Sequence, residues 1–261
     1  MWLKSGCVTT SLPAFFNLSI VKSVIYELDG FGNKNIAVIK STIPPGTTKK
    51  LNSQCENLKV VHYRNGDSIP QVQDPEKWSK IETGAWCYIG DSSNIDQFGI
   101  IYNWHAVNDE RGVCPDGWHV PSDNEFKELE LFLGISESEV NIVWEWRGSD
   151  EGSKLAGIAE LWDSPDPEYV DQALESNSQF GSSYFDAVPG GYRSYQSFFS
   201  SIGHNAHIWT SDEYSGGAWR RTLSKNTSAI YLGGASRQSG FSVRCLADES
   251  IAGCTDSNAC N

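Results

Sequence analysis

The side chains of this chain best suited to chemistry are seven cysteines, a His-x-x-His pair and several aspartates. Cysteines bind zinc readily when two stand in a Cys-x-x-Cys spacing, and none of Cys7, Cys55, Cys87, Cys114, Cys245, Cys254 and Cys260 does so. Disulfides in an oxidising compartment suit them better. The odd count leaves at least one cysteine without a partner in the chain, and Cys254 with Cys260 would close a small local loop. Spacing alone does not give the connectivity. His204 and His207 could share a metal only on a helix or turn, because residues three apart on a strand face opposite sides. With no carboxylate or cysteine at useful spacing, both are expected to be loop histidines. Asp91, Asp96 and the aspartates between 163 and 171 could supply calcium oxygens, yet none follows the spacing of an EF-hand loop. A structural calcium ion is thus the one cofactor left open. No Gly-x-Ser-x-Gly, Walker-type or His-Glu-x-x-His motif is present. The inventory does not assemble a catalyst.

The elements that would position these groups are clearest at residues 111–125. Cys114-Pro115-Asp116-Gly117 is turn chemistry, since proline presets φ and glycine accepts a positive φ. Trp118, His119 and Val120 read as a short strand that Pro121 ends, because proline cannot donate in a ladder. Ser122 is a good N-cap and Glu125 completes a capping box. Phe126, Leu129 and Leu133 follow at helical spacing, and Gly134 closes the helix. A second short helix is expected at 153–161. Residues 58–63, 86–89 and 100–102 read as strands. Residues 23–28 and 36–39 read as a hairpin, followed by a linker at Pro44-Pro45-Gly46. From Gln179 onward come short aromatic strands: Tyr184-Phe185, residues 197–199, Ile208-Trp209, residues 219–221, Ile230-Tyr231 and residues 241–245. The layout predicted is α+β, with two short helices, a twisted antiparallel sheet and long loops.

Hydrophobic residues make up 39% of the chain and include ten tryptophans, enough for a sizeable core. A net charge of −13 argues against a nucleic-acid partner, which would call for basic patches. The apolar patch at 12–21 is broken by Pro13, Asn17 and Ser19, so it does not read as a clean export signal. No apolar run reaches the roughly eighteen residues of a membrane span.

Val-Cys-Pro-Asp-Gly-Trp-His-Val-Pro-Ser at 113–122 resembles the signature of the Fibrobacter succinogenes major paralogous domain, a family of mostly secreted bacterial proteins. Further segments match in order: 56–59, 62–67, 83–88, 102–104, 189–193, 209–211 and 240–245. The resemblance covers about residues 50–248. It leaves 1–49 as a poorly defined β-prone segment with a linker, and 249–261 as a partial cysteine-containing repeat of secreted proteins. It implies a C-type lectin-like fold, also similar to the formylglycine-generating enzymes. Cys114 and Cys245 each sit on a matched motif, which implies that they pair.

Formylglycine-generating enzymes use two nearby cysteines close to an Arg-Cys motif. Arg244-Cys245 matches that motif, but Gly240 and Phe241 stand where the other cysteine would be, so a structural disulfide is the better reading. Lectin-like folds build their ligand face in the segment holding Tyr192, Arg193, Tyr195, Trp209, Asp212, Glu213, Tyr214, Trp219 and Arg220. Trp209 and Trp219 are expected in the core, with Tyr195 and Tyr214 exposed. The expected function is a non-catalytic, secreted or surface-displayed domain that binds carbohydrate or another surface molecule. The rivals are a structural module of a surface assembly and an enzyme of the formylglycine-generating group.

Overall fold

A computed structural model describes residues 56–248 and, before them, two short strands, β1 (Glu27–Leu28) and β2 (Lys34–Asn35), which pair antiparallel. This pairing overlaps the first strand expected there only at 27–28, and β2 lies ahead of the second, since residues 23–26 and 36–39 are outside the described residues. Cys7, Cys55, Cys254 and Cys260 lie outside the described residues, as does the expected repeat at 249–261.

The elements that follow are α1 (Pro75–Ser79), β3 (Trp86–Cys87), α2 (Ile95–Phe98), β4 (Ile101–Asn103), α3 (Trp104–Val107), β5 (Trp118–His119), α4 (Asp123–Leu133), β6 (Glu145–Arg147) and α5 (Glu151–Leu155). After them come β7 (Gly190–Arg193), β8 (Phe199–Ile202), β9 (Asn205–Tyr214), β10 (Gly217–Ser224), β11 (Thr227–Ala235), β12 (Gly240–Phe241) and β13 (Leu246–Ala247). The large sheet runs β3-β4-β12-β7-β9-β10-β11-β6, with β8 paired to β7, and β5 pairs separately with β13. The fold is mixed α and β, a large sheet with few short helices.

Several expectations are corrected. The sheet is not wholly antiparallel, because β7 and β9 run parallel. Only α4 is longer than about a turn among the described helices, and the helix expected at 153–161 is broken, since Ile158 takes a φ of 55°. Residues 58–63 form no ladder beyond a single bridge, His62 with Ser68. Tyr184-Phe185 is not a strand either, since Tyr184 and Asp186 adopt φ of 56° and 54°. The central strands β9 to β11 run longer than their apolar residues suggest. Polar side chains interrupt the pattern there but are themselves buried, as Thr210, Arg221 and Thr222 are.

Strand alternation separates two of the three clusters of the interior, the third gathering around Trp78, Cys87 and Ile101. Trp209 on β9 packs with Tyr102, Trp104 and Phe241 on one face, while its neighbour Ile208 packs with Phe126, Leu133, Leu155, Leu223 and Ile230 on the other. The helix α4 lies on this second face. Its capping box forms as the sequence predicts, with Ser122 Oγ accepting from Glu125 N–H at 3.2 Å and Glu125 Oε2 accepting from Ser122 N–H at 2.9 Å. Glu130 points from α4 into the second core and meets two arginines. Arg221 Nε donates to it at 2.5 Å and Arg147 Nη2 at 3.0 Å, and all three side chains are at most 2% exposed. Asp123 adds a contact to Arg221 Nη1 at 2.7 Å.

The pairing implied for Cys114 and Cys245 is present as a disulfide. It fastens the turn before β5 to the strand-like end of the domain, where β13 pairs with β5. Cys87 is buried and free. Burial pushes its thiol pKa up to about 12, against the pull of Arg193, so the thiol stays protonated at neutral pH.

Candidate ligand-binding surface

The segment from Tyr192 to Arg220 does not form one face. Arg193 is fully buried between the Trp78 and Phe199 rings, and it donates to the carbonyls of Val72 at 2.7 Å and Gln73 at 2.9 Å. Trp209 is fully buried too, with Nε1–H donating to Tyr102 O at 2.9 Å. Asp212 accepts from the Asp123 N–H at 2.6 Å, at the start of α4. These three serve the scaffold. Tyr195 is 54% exposed beyond β7 and stands apart from the rest.

Tyr192, on β7, packs edge-on against His207 and Phe241. Glu213, Tyr214, Trp219 and Arg220 divide across the β9–β10 hairpin because the pairing slips there. Ala218 faces Glu213, whereas Arg220 faces Trp209, so a bulge in β9 separates the tip from the body. The regular pairing of β10 with β11 places Trp219 opposite Gly234 and Arg220 opposite Gly233. Successive residues point to opposite sides, so Trp219 joins the α4 side and Arg220 the other.

On the α4 side, three rings meet. Trp144 lies 5.6 Å from Tyr214 and 5.9 Å from Trp219, and the latter two are 5.0 Å apart. Tyr214 lies over the Gly234 backbone: a Cβ there would come within 2.0 Å of the ring. Glycine is therefore required beneath the ring, and its lack of a side chain makes the floor flat. Trp144 reaches the cluster through a φ of 66°, unusual for a tryptophan and held by its N–H to Leu232 O at 2.7 Å. Such a conformation costs on the order of 1–3 kcal/mol and persists where the surroundings over-determine it. Trp144 is 50% exposed, and Tyr214 and Trp219 are half-buried. Trp219 is thus not the core residue expected. Residues 140–146 are a largely apolar run, and no local signal marks Trp144 within it as exposed.

The opposite side carries a row set by register: Trp146 opposite Tyr231, Tyr231 opposite Thr222, and Thr222 opposite His207. Trp146 is 44% exposed and stacks 5.4 Å from Tyr231. Arg220 lies among these rings, 5.3 Å from Tyr231 and 5.4 Å from Phe241, with Nη1 donating to His207 Nδ1 at 3.1 Å and to Thr222 Oγ1. His207 is therefore a packed strand residue, while His204 pairs with Asp163 at 2.9 Å in a turn. The two histidines are not brought together.

Burial, reinforced by Arg220, holds the His207 pKa well below its ordinary value. The unfolded chain still takes up a proton near pH 6.5, so below that pH the unfolded state binds more protons and the fold loses stability. The expected loss is up to about 1.4 kcal/mol per pH unit, from roughly pH 6.5 down to the depressed folded value. Thermal melts between pH 7 and 5 should show this slope in the wild type and a shallower one in His207→Gln. Parallel profiles would rule His207 out as the source.

A third feature, a cleft of about 630 Å3, opens beside the hairpin on the Glu213 side. Trp104 forms part of its wall, with Glu82, His105, Asp109, Arg111, Glu213 and Arg237 around it. Its charges are largely answered within the cleft: Arg237 meets Glu213 at 2.6 Å and Arg111 meets Asp109 at 2.8 Å. Burial, with Arg237 next, lowers the His105 pKa.

Among the described residues, no three His, Cys, Asp or Glu side chains are grouped so as to hold a metal ion. Asp91 caps a short 3-10 turn through Ser93 N–H at 2.9 Å, and Asp166 pairs with Lys225 at 3.0 Å. No helix among the described residues is long and apolar enough to cross a membrane.

A family model described as the Fibrobacter succinogenes major domain matches residues 54–247. The chain belongs to this family. No curated protein and no solved structure matches it. Within this Fibrobacter succinogenes major domain, the three-ring cluster and the Arg220 row flank the edge strand β6, which supplies Trp146 to one and follows Trp144 of the other.

Proposed function

We propose that this domain is a non-catalytic binding module of a secreted or surface-displayed protein, with a lectin-like fold, and that it takes carbohydrate on the Trp144, Tyr214 and Trp219 rings. The observation carrying this reading is the exposed three-ring cluster seated on a glycine floor. Aromatic faces stack on the C–H faces of sugars at little entropic cost when the rings are already fixed, and here packing and backbone fix all three. The Cys114–Cys245 disulfide supports an oxidising compartment. That same disulfide occupies the Cys245 sulfur, which favours binding over the thiol chemistry of the formylglycine-generating group.

A glycan array probed with residues 50–248 gives the test. Saturable binding should fall by roughly tenfold or more in Trp144→Ala and in Trp219→Ala, as for aromatic anchors at other interfaces. Both variants should keep the wild-type circular dichroism spectrum. Binding that survives both substitutions would move the site elsewhere, and no binding to any glycan would remove the carbohydrate reading.

Assembly is a second reading with its own observation. Ile142, Val143, Trp144 and Trp146 are all at least 36% exposed along the sheet edge, and exposed edges invite pairing with another chain.

A further inference from the structure

Another cleft, of about 320 Å3, shares no residue with the three rings or with the cleft beside the hairpin. Ile158, Leu161 and Val188 make its lining largely apolar, and Asp186 stands among them. Asp186 is half-buried, and its carboxylate accepts no hydrogen bond among the described residues, although neither oxygen is shut off from water. Other half-buried carboxylates are answered: Asp109 by Arg111, Asp123 by Arg221, Asp150 by Lys154 and Asp166 by Lys225. Glu175 shares the lack of a partner, but its Oε1 is shielded from water, where a ligand could not reach it. The cations of the cleft do not serve Asp186 either. Lys59 Nζ is held by Glu56 at 3.3 Å and by the Asp96 carbonyl at 3.1 Å. Arg244 Nη2 donates to the Asp186 carbonyl at 2.7 Å rather than to its carboxylate. Burial raises the Asp186 pKa against the pull of Arg244, so its ionised form is under-solvated here.

The backbone beside this carboxylate is strained. Ile158 has a φ of 55° and Asp186 a φ of 54°, and both line the cleft. For a β-branched residue the left-handed region is a genuine outlier. Such a conformation persists only where the surroundings over-determine it. Here Gly157 N–H donates to Ala187 O at 3.0 Å, Leu161 N–H donates to Ile158 O at 3.0 Å, and Asp186 Oδ1 lies 2.5 Å from where a Gly157 Cβ would stand. Asp186 is thus packed on glycine backbone, while Ile158 is 51% exposed and turned to the cleft instead of the core.

We propose that this cleft binds the ammonium group of a small aliphatic amine, with Asp186 as the acceptor and Ile158, Leu161 and Val188 against the alkyl chain. An ionised carboxylate only accepts, so the group it lacks is a donor. A charged donor offsets its incomplete hydration best. The apolar lining favours an alkyl chain over further polar groups, and the volume is that of a small-ligand site. The inference does not rest on the carbohydrate reading, because the two surfaces have no residue in common.

NMR titration of the full chain with hexylamine and with 1-hexanol tests this, since the two carry the same alkyl chain with and without a charge at neutral pH. The amides of Gly157, Ile158 and Asp186 read the site. Wild type should bind the amine at least about tenfold more tightly than the alcohol, the scale of a charged hydrogen-bonded contact. Asp186→Asn should erase that preference without lowering the melting temperature, because asparagine tolerates the left-handed region. Ile158→Gly should weaken both ligands several-fold and also keep the melting temperature, since glycine takes that φ without strain. Equal binding of amine and alcohol by the wild type, a comparison that needs no variant, overturns the ammonium site. A preference that survives Asp186→Asn does the same. Unsaturable shifts spread over surface carboxylates overturn it too, because a chain of net charge −13 attracts any cation. Nα-acetyl-lysine methylamide bound more tightly than hexylamine overturns the free amine in favour of a lysine side chain from a partner protein.

Discussion

Glu130→Gln should destabilise the fold by about 3–5 kcal/mol, the range for removing one partner from a buried charge cluster. Glutamine keeps the shape and one acceptor oxygen but withdraws the only carboxylate shared by Arg147 and Arg221. Arg147 would then be left with the Val140 carbonyl at 2.6 Å, and Arg221 with Asp123 near the helix start. Neither arginine can return to water, since both are at most 2% exposed. Urea denaturation would show the loss as a lower midpoint with an unchanged slope. Exchanging all three residues together for apolar ones of similar volume should lose far less, because the desolvation of the ions goes with them. A midpoint shift in Glu130→Gln worth less than about 1 kcal/mol would mean that the cluster is not the bolt between α4 and the sheet.

The Cys114–Cys245 bond should rank beside it. It closes a loop spanning 131 residues, and chain-entropy reasoning assigns about 5 kcal/mol to a loop of that length. Measured losses for native disulfides are typically about 2–5 kcal/mol, because the unfolded chain retains structure. A Cys114→Ala, Cys245→Ala double variant should therefore melt roughly 5–20 °C lower, on the usual scaling for domains of this size. Reduction of the wild type should reproduce the shift, while the buried Cys87 thiol should stay unreactive in the folded protein. A reduced wild type that melts where the oxidised one does would mean the bond only decorates the β5–β13 pairing.

Local chemistry made much of this scaffold legible. The turn at 114–117, the capping box of Ser122 and Glu125 and the stop at Gly134 are decided within a few residues, and each appears where its residue types place it. The disulfide was legible only through resemblance, since spacing cannot pair cysteines far apart. Strand lengths were not legible, because Arg221 and Thr222 look like surface residues until Glu130 and His207 are brought opposite them from elsewhere in the chain. The candidate surface was half legible. Tyr214 and Trp219 lie in the right hairpin, but the bulge in β9 sends Glu213, Tyr214 and Arg220 to different surroundings. Trp144 and Trp146 were not legible, because the residue types of the apolar run 140–146 do not say which of them face water. Their exposure follows from β6 lying at the sheet edge, a property of the topology rather than of residues 140–146.

The contacts between the two ends of the domain carry a mechanical consequence. Leu58 N–H donates to Val243 O at 2.9 Å, and Asn57 meets Ser242 Oγ at 3.1 Å, a few residues from the disulfide. A pull applied at residues 56 and 248 would load these contacts first and would then reach Cys245. From there the tension crosses the S–S bond to Cys114 and bypasses every residue between them. Only the stretches from residue 56 to Cys114 and from Cys245 to residue 248 could pay out. The hairpin, its aromatic rings and the Glu130 cluster would hang outside the line of force, so a domain strung along a stretched polypeptide would keep these rings in place while its ends yielded.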